Sequence, residues 1–171
     1  MMNVLGLDLS LTSSGYSCGP EVGTITVKTK GPERLIQIRE AITNLCAALN
    51  PDLVVVEGYS FASRNSQAHS IGELGGVIRV ALHEAGCPTA IVPPTCRAKF
   101  ASGRGNSSKV AVVSAISART GIAWEGKGAD DMCDAWILEE MGLTYLGLGK
   151  HAWPEKNLEA LTTIDWPEGL T

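Results

Sequence analysis

Four carboxylates stand at places where acids could do chemistry. Asp8 closes the apolar run Val4-Leu5-Gly6-Leu7-Asp8, and Glu57 closes a second run, Leu53-Val54-Val55-Val56-Glu57. A carboxylate delivered by a buried strand is costly unless it is paired or holds a cation. Asp131 and Asp134 lie three residues apart, so on a helix they share one face. Each acid also has an ordinary reading. Asp8 could cap the turn at Ser10 and Thr12, and Glu57 could be an exposed loop residue. Asp131 and Asp134 could simply favour the positive end of a helix dipole. Together the four form an all-oxygen set, which suits Mg²⁺ or Mn²⁺ rather than zinc. Two such ions about 3.5–4 Å apart serve in-line phosphodiester cleavage, and no nucleophilic side chain is then needed.

The charge distribution bears on the substrate. The 171-residue chain has 18 acidic and 14 basic residues, for a net charge of −4, which by itself argues weakly against nucleic acid. Between Ala85 and Trp124, however, there is no Asp or Glu, while Arg97, Lys99, Arg104, Lys109 and Arg119 all fall there. Such a stretch is either a phosphate-binding segment or a chance gap in acids. The five cysteines, Cys18, Cys46, Cys87, Cys96 and Cys133, are odd in number and form no C-x-x-C pair. They read as small core residues in a reducing cytosol, not as a disulfide framework or zinc site. No apolar run is long enough to span a bilayer, and the start of the chain lacks the basic segment of a signal peptide.

The elements that must position these acids follow from the hydropathy pattern. Strands are expected at Asn3–Leu9, Gly15–Gly19 and Val22–Val27, with a turn at Gly19-Pro20, giving an antiparallel meander. A helix opened by Pro32 carries the stripe Leu35, Ile38, Ile42, Leu45 and Leu49, and Asn50-Pro51 ends it. A buried strand over Leu53–Val56 precedes a helix over Ser66–Ala85, which is interrupted by Gly72, Gly75 and Gly76. Thr89–Val92 is a strand closed by Pro93-Pro94. Lys99–Asn106 reads as a loop. A helix capped by Asn106 or Ser107 runs to about Thr120, and a last one covers about Asp130–Met141 with Asp130 as a candidate cap. The order β-β-β-α-β-α-β-α-α implies an α/β fold with a mixed five-stranded sheet flanked by helices.

These residues resemble the RuvC-type Holliday-junction resolvases of the RNase H-like superfamily. The resemblance is carried by Gly6-Leu7-Asp8-Leu9-Ser10 with Gly15-Tyr16, and by Val56-Glu57 with the helix Ser66–Val80. Pro93-Pro94 followed by Gly103-x-Gly105 and Lys109 continues it, and Gly128-Ala129-Asp130-Asp131-x-x-Asp134-Ala135 closes it. It runs in order from about residue 3 to 141. It implies an RNase H-like nuclease domain over 1–150 and a tail over 151–171 without a counterpart. It also implies a homodimeric, cytoplasmic, Mg²⁺-dependent endonuclease that nicks four-way DNA junctions, or forks, with two ions per site (Mn²⁺ as alternative) and no nucleotide cofactor. On this resemblance Asp8, Glu57, Asp131 and Asp134 ligate the ions and Lys109 lies near the scissile phosphate, where a helix start favours an anion. Arg97, Lys99, Arg104 and Arg64 are expected on DNA phosphates. The glycine-interrupted helix around Gly72–Arg79 is the candidate dimer contact.

The sequence departs from the family in three places. Leu9-Ser10 replaces the usual Pro-Gly after the first acid. The aromatic three residues after the second acid is Ser60, flanked by Tyr59 and Phe61, either of which could stack on junction bases for roughly 1–3 kcal/mol. The tail is extra. These features suggest a divergent, phage-like branch. Three other readings compete: an RNase H-like nuclease acting on forks, flaps or RNA–DNA hybrids; a non-catalytic junction-binding module; and a sugar-kinase or actin-like ATPase, whose phosphate loop Asp8–Gly15 would fit. The chain is too short for the two domains that the last requires.

Overall fold

The computed structural model describes residues 2–58 and 67–170. Within them the order is β1 (Val4–Asp8), β2 (Ser13–Cys18), β3 (Glu21–Thr26), α1 (Gly31–Leu49), β4 (Leu53–Glu57), α2 (Gln67–Glu84), β5 (Thr89–Val92), α3 (Pro94–Ser102), α4 (Lys109–Thr120), α5 (Ala129–Tyr145), the one-turn α6 (Glu155–Leu158) and a 3₁₀ turn (Glu159–Leu161). The strands form one sheet in the order β3-β2-β1-β4-β5. The β1–β2 and β2–β3 pairs are antiparallel, as the short links require, while β1–β4 and β4–β5 are parallel. This is the mixed five-stranded sheet expected from the pattern.

Strand alternation decides which residues face which layer. Leu5, Leu7, Val54 and Val56 point to one side, where they pack with Ile38, Ile42 and Cys46 of α1 and with Leu74, Ile78 and Leu82 of α2. Val4, Leu53, Val55, Ala90 and Val92 point to the other side, against Phe100 of α3, Val112 and Ile116 of α4, and Ile137 and Met141 of α5. Asp8 is in phase with Val4 and Gly6, and Glu57 with Leu53 and Val55. Both acids therefore emerge on the side covered by α3 and α5.

Helix α5 lies against the sheet with almost no intervening side chain. A Cβ on Gly6 would stand 2.0 Å from the carbonyl oxygen of Ala135, and one on Gly15 would stand 2.0 Å from that of Asp131. Only glycine admits this approach, and the approach sets the height of α5 above β1.

One helix differs from the sequence expectation. Pro93-Pro94 ends β5 but also starts α3, with Pro94 in the first turn, where a missing N–H costs nothing. Lys99–Ser102, read as loop, is therefore helical, and Gly103 ends the helix in the left-handed conformation (φ 79°). The cap of α4 is Ser108, one residue beyond the expected Ser107, accepting from the Ala111 amide. Gly128, not Asp130, occupies the cap position of α5.

The segment after residue 150 joins the second core layer. Trp153, Ala160 and Ile164 are buried there, and Trp153 packs on Phe100 with ring centroids 4.2 Å apart. The buried Glu140 of α5 accepts from the amides of Lys150 and His151 and from the Trp153 indole at 3.0–3.2 Å. Asn157 donates to the Phe100 carbonyl. All five cysteines are free thiols, three of them buried.

Candidate active site

The register of the parallel strands brings the first two acids together. Leu7 pairs with Val56, so the next positions, Asp8 and Glu57, are neighbours at the carboxyl ends of β1 and β4. In parallel α/β sheets, sites collect at these ends. Asp134, in the second turn of α5, descends onto the same place because Gly6 and Gly15 let the helix in.

Between them lies a residue whose role differs from expectation. Arg97, assigned to the DNA backbone from the basic segment, is only 7% exposed. Its Nε donates to Glu57 Oε2 and its Nη1 to Asp134 Oδ1. The cause is position: Arg97 lies four residues past Pro93, on the first turn of α3, and that turn faces inward beside the end of β4. A guanidinium fork matches two carboxylates in this way.

The electrostatics reflect the crowding of acids. Burial, then the charges of Glu57 and Asp134, push the Asp8 carboxyl well above the usual range despite Arg97 and Lys109. Burial also raises Asp134 to about 6, with Arg97 opposing and Glu57 adding to the rise. Such shifts mark a site short of positive charge, and a bound cation would reverse them. The donors are all carboxylate oxygens, which fits a hard divalent cation. Among the described residues no three His, Cys, Asp or Glu side chains stand together as a ready ion cage, and two of the acids are held by Arg97.

The remaining predicted residues are distributed around this cluster. Asp131 faces β2, where its Oδ2 accepts from Ser13 Oγ at 2.8 Å, so it sits at the edge of the cluster and not within it. Lys109 is the first residue of α4, with Nζ 3.3 Å from Asp130 Oδ2 and 4.0 Å from Asp134 Oδ2. Its side chain is 62% exposed, so it remains accessible to a phosphate. Lys99 faces away from the acids, and its amine pairs at the surface with Glu159 at 2.7 Å. Arg104 is exposed beside Gly103 and Gly105. Tyr59, Phe61 and Arg64 lie outside the described residues. The hydroxyls of Ser10 and Ser14 are used within their own turn, Ser14 Oγ donating to Ser10 O and accepting from Ser10 N.

The strand order, the helices on both faces and the acids at the parallel strand ends define an RNase H-like fold with a carboxylate site. The particular likeness is to the RuvC-type resolvases, the resemblance expected from the motifs. A crossover junction endodeoxyribonuclease RuvC of Chloroflexus aggregans is 27% identical over 145 residues, which span 78% of this chain and 88% of the relative. One of Prochlorococcus marinus is 28% identical over 153 residues, covering 83% and 98%. No protein-family model matches the chain. Among solved structures, Thermus thermophilus RuvC superimposes with a TM-score of 0.67 at 22% identity, covering 88% of this chain and all of that one. The same protein in complex with a Holliday junction substrate gives 0.68 over 89% of this chain.

Proposed function

We propose that this chain is an endonuclease that resolves four-way DNA junctions by metal-assisted hydrolysis. The observation that carries the reading is the convergence of Asp8, Glu57 and Asp134 at the carboxyl ends of β1 and β4, in a fold shared with a junction-bound RuvC. Asp8, Glu57 and Asp134 would hold the cation, Mg²⁺ in the first instance and Mn²⁺ as the alternative. Asp131, the expected fourth ligand, would reach them only on leaving Ser13, and two ions per active site would call on that fourth carboxylate. When bound, such ions supply a Lewis acid for water and for the scissile phosphate. Val55, Val92 and Ala135, near the acids along the chain or across the strand pair, are fully buried. Lys109 is placed to offset charge developing on phosphate oxygens. Arg104 contributes sequence-independent, salt-sensitive binding.

Two equivalent strands of a junction call for two sites related by a two-fold axis. Helix α2 is the candidate contact. Among the described residues, and apart from the helix's own backbone, no atom lies within 4 Å of where a Cβ on Gly72 or Gly76 would sit, and Val80, on the same helical stripe, is 58% exposed. Val80→Asp is expected to shift the protein toward monomer in sedimentation velocity; an unchanged dimer would move the contact elsewhere. A cytoplasmic setting in a bacterium or its phage agrees with the free thiols and with the bacterial relatives. No helix among the described residues is long and apolar enough to cross a membrane.

The deciding experiment is cleavage of a panel comprising four-way junction, fork, flap, RNA–DNA hybrid and plain duplex, with and without Mg²⁺. Preferential Mg²⁺-dependent nicking of the junction is expected. Preference for the hybrid or flap would replace the substrate, and binding without nicking would leave a junction-binding module. Lys109→Ala should lower the single-turnover rate roughly tenfold or more, one charge-stabilising contact being lost, with junction affinity nearly unchanged. An unaltered rate would remove Lys109 from the site.

A further inference from the structure

The buried bridge made by Arg97 bears on how many cations the site admits. The guanidinium takes Oε2 of Glu57 and Oδ1 of Asp134, one oxygen from each of two acids that a pair of ions would have to share. Its side chain is 9% exposed, so it belongs to the site and is not a surface arm. The backbone beneath it is fixed: Ala98, Phe100 and Ala101 of α3 are buried, and Asn157 holds the Phe100 carbonyl. Three converging carboxylates less one guanidinium leave two negative charges, which Lys109, 4.0 Å from Asp134 Oδ2, offsets in part, so a single divalent ion is enough to balance the site. A second divalent ion beside Arg97 would meet direct repulsion and find one oxygen of each of these two acids already engaged.

We infer that Arg97 is a positioning residue that occupies the second cation's place in the DNA-free protein, holding Glu57 and Asp134 together so that only one divalent ion is taken up beside Asp8. The inference rests on the metal-dependent nuclease reading above. It makes entry of a second ion conditional on Arg97 leaving the acids, and an incoming phosphate is a partner that would draw a guanidinium away. The arginine also has a standing role without metal, since it keeps two buried carboxylates from facing each other uncompensated.

The test is the number of Mn²⁺ ions bound per DNA-free chain, read by equilibrium dialysis and by electron paramagnetic resonance, for the wild type and for Arg97→Met. About one ion is expected in the wild type and about two in the variant. The melting temperature of Arg97→Met should be the lower of the two without metal and should rise more on adding Mn²⁺. A wild-type count other than one, or a variant that still binds one ion, overturns the inference. If Arg97→Met does not fold, Arg97→Gln is counted in its place, with two ions again expected and one ion overturning the inference. Junction cleavage by the same wild-type preparation separates the two levels. Absence of both cleavage and bound Mn²⁺ would sink the nuclease reading, whereas cleavage with two ions on the DNA-free chain would sink only the role of Arg97.

Discussion

Asp8→Asn should abolish junction cleavage while leaving junction binding within a few-fold of wild type. The substitution keeps the shape of the side chain and removes the charge at the point where β1, β4 and α5 meet. A cation-holding carboxylate contributes several kcal/mol of charge stabilisation. At about 1.4 kcal/mol per factor of ten, the rate should fall by roughly 10³ or more. Single-turnover cleavage and gel retardation without divalent ions measure the two quantities separately. The same change has a second signature of opposite sign. In the wild type, burial and the charges of Glu57 and Asp134 disfavour ionised Asp8, so the neutral amide should raise the melting temperature of the metal-free protein at neutral pH. A variant that still cuts, or one that melts lower while losing activity, would show Asp8 to be a structural acid.

Gly6→Ala is expected to damage the enzyme from a position that bears no functional group. Its new Cβ would lie 2.0 Å from Ala135 O and 2.6 Å from Glu139 N, both backbone atoms of α5. Neither can rotate away, so the whole helix must rise from the sheet. Overpacking of this kind typically costs 1–3 kcal/mol. Displacing Asp134 by about an ångström relative to Asp8 can cost on the order of 10² in rate. Thermal melts and cleavage rates should therefore fall together. If the melting temperature drops but the rate at a permissive temperature is unchanged, the spacing of α5 does not set the geometry of the site.

The parts of this arrangement that were legible in the sequence share one physical origin. Asp8 and Glu57 each end a run of buried residues, and a chain does not place a carboxylate there without compensation. Those runs, with their short links and the helical stripe of α1, were enough to give the sheet and its neighbours. Arg97 was not legible because its neighbours misled. It sits in a stretch without acids, where an arginine reads as surface charge, and Pro93-Pro94 reads as a stop. Proline serves equally well in the first helical turn, and once α3 is a helix, Arg97 and Lys99 point to opposite sides. One then meets Glu57 and Asp134 and the other meets Glu159. Asp131 and Asp134 share a helix face as their spacing requires, yet the width of that face lets one reach Ser13 of β2 while the other reaches the cluster. Spacing gives a common side of a helix, not a common ligand.

The contact between Trp153 and Phe100 carries a consequence for the catalytic end of the molecule. Phe100 is the rear of the same two-turn helix whose front presents Arg97, and Arg119 lies over the other ring of the pair, 5.0 Å from the Trp153 centroid. A helix so short has little rigidity of its own. Residues 151–170 therefore back this helix: Trp153 and Asn157 hold Phe100 on one side while Arg97 reaches Glu57 and Asp134 on the other.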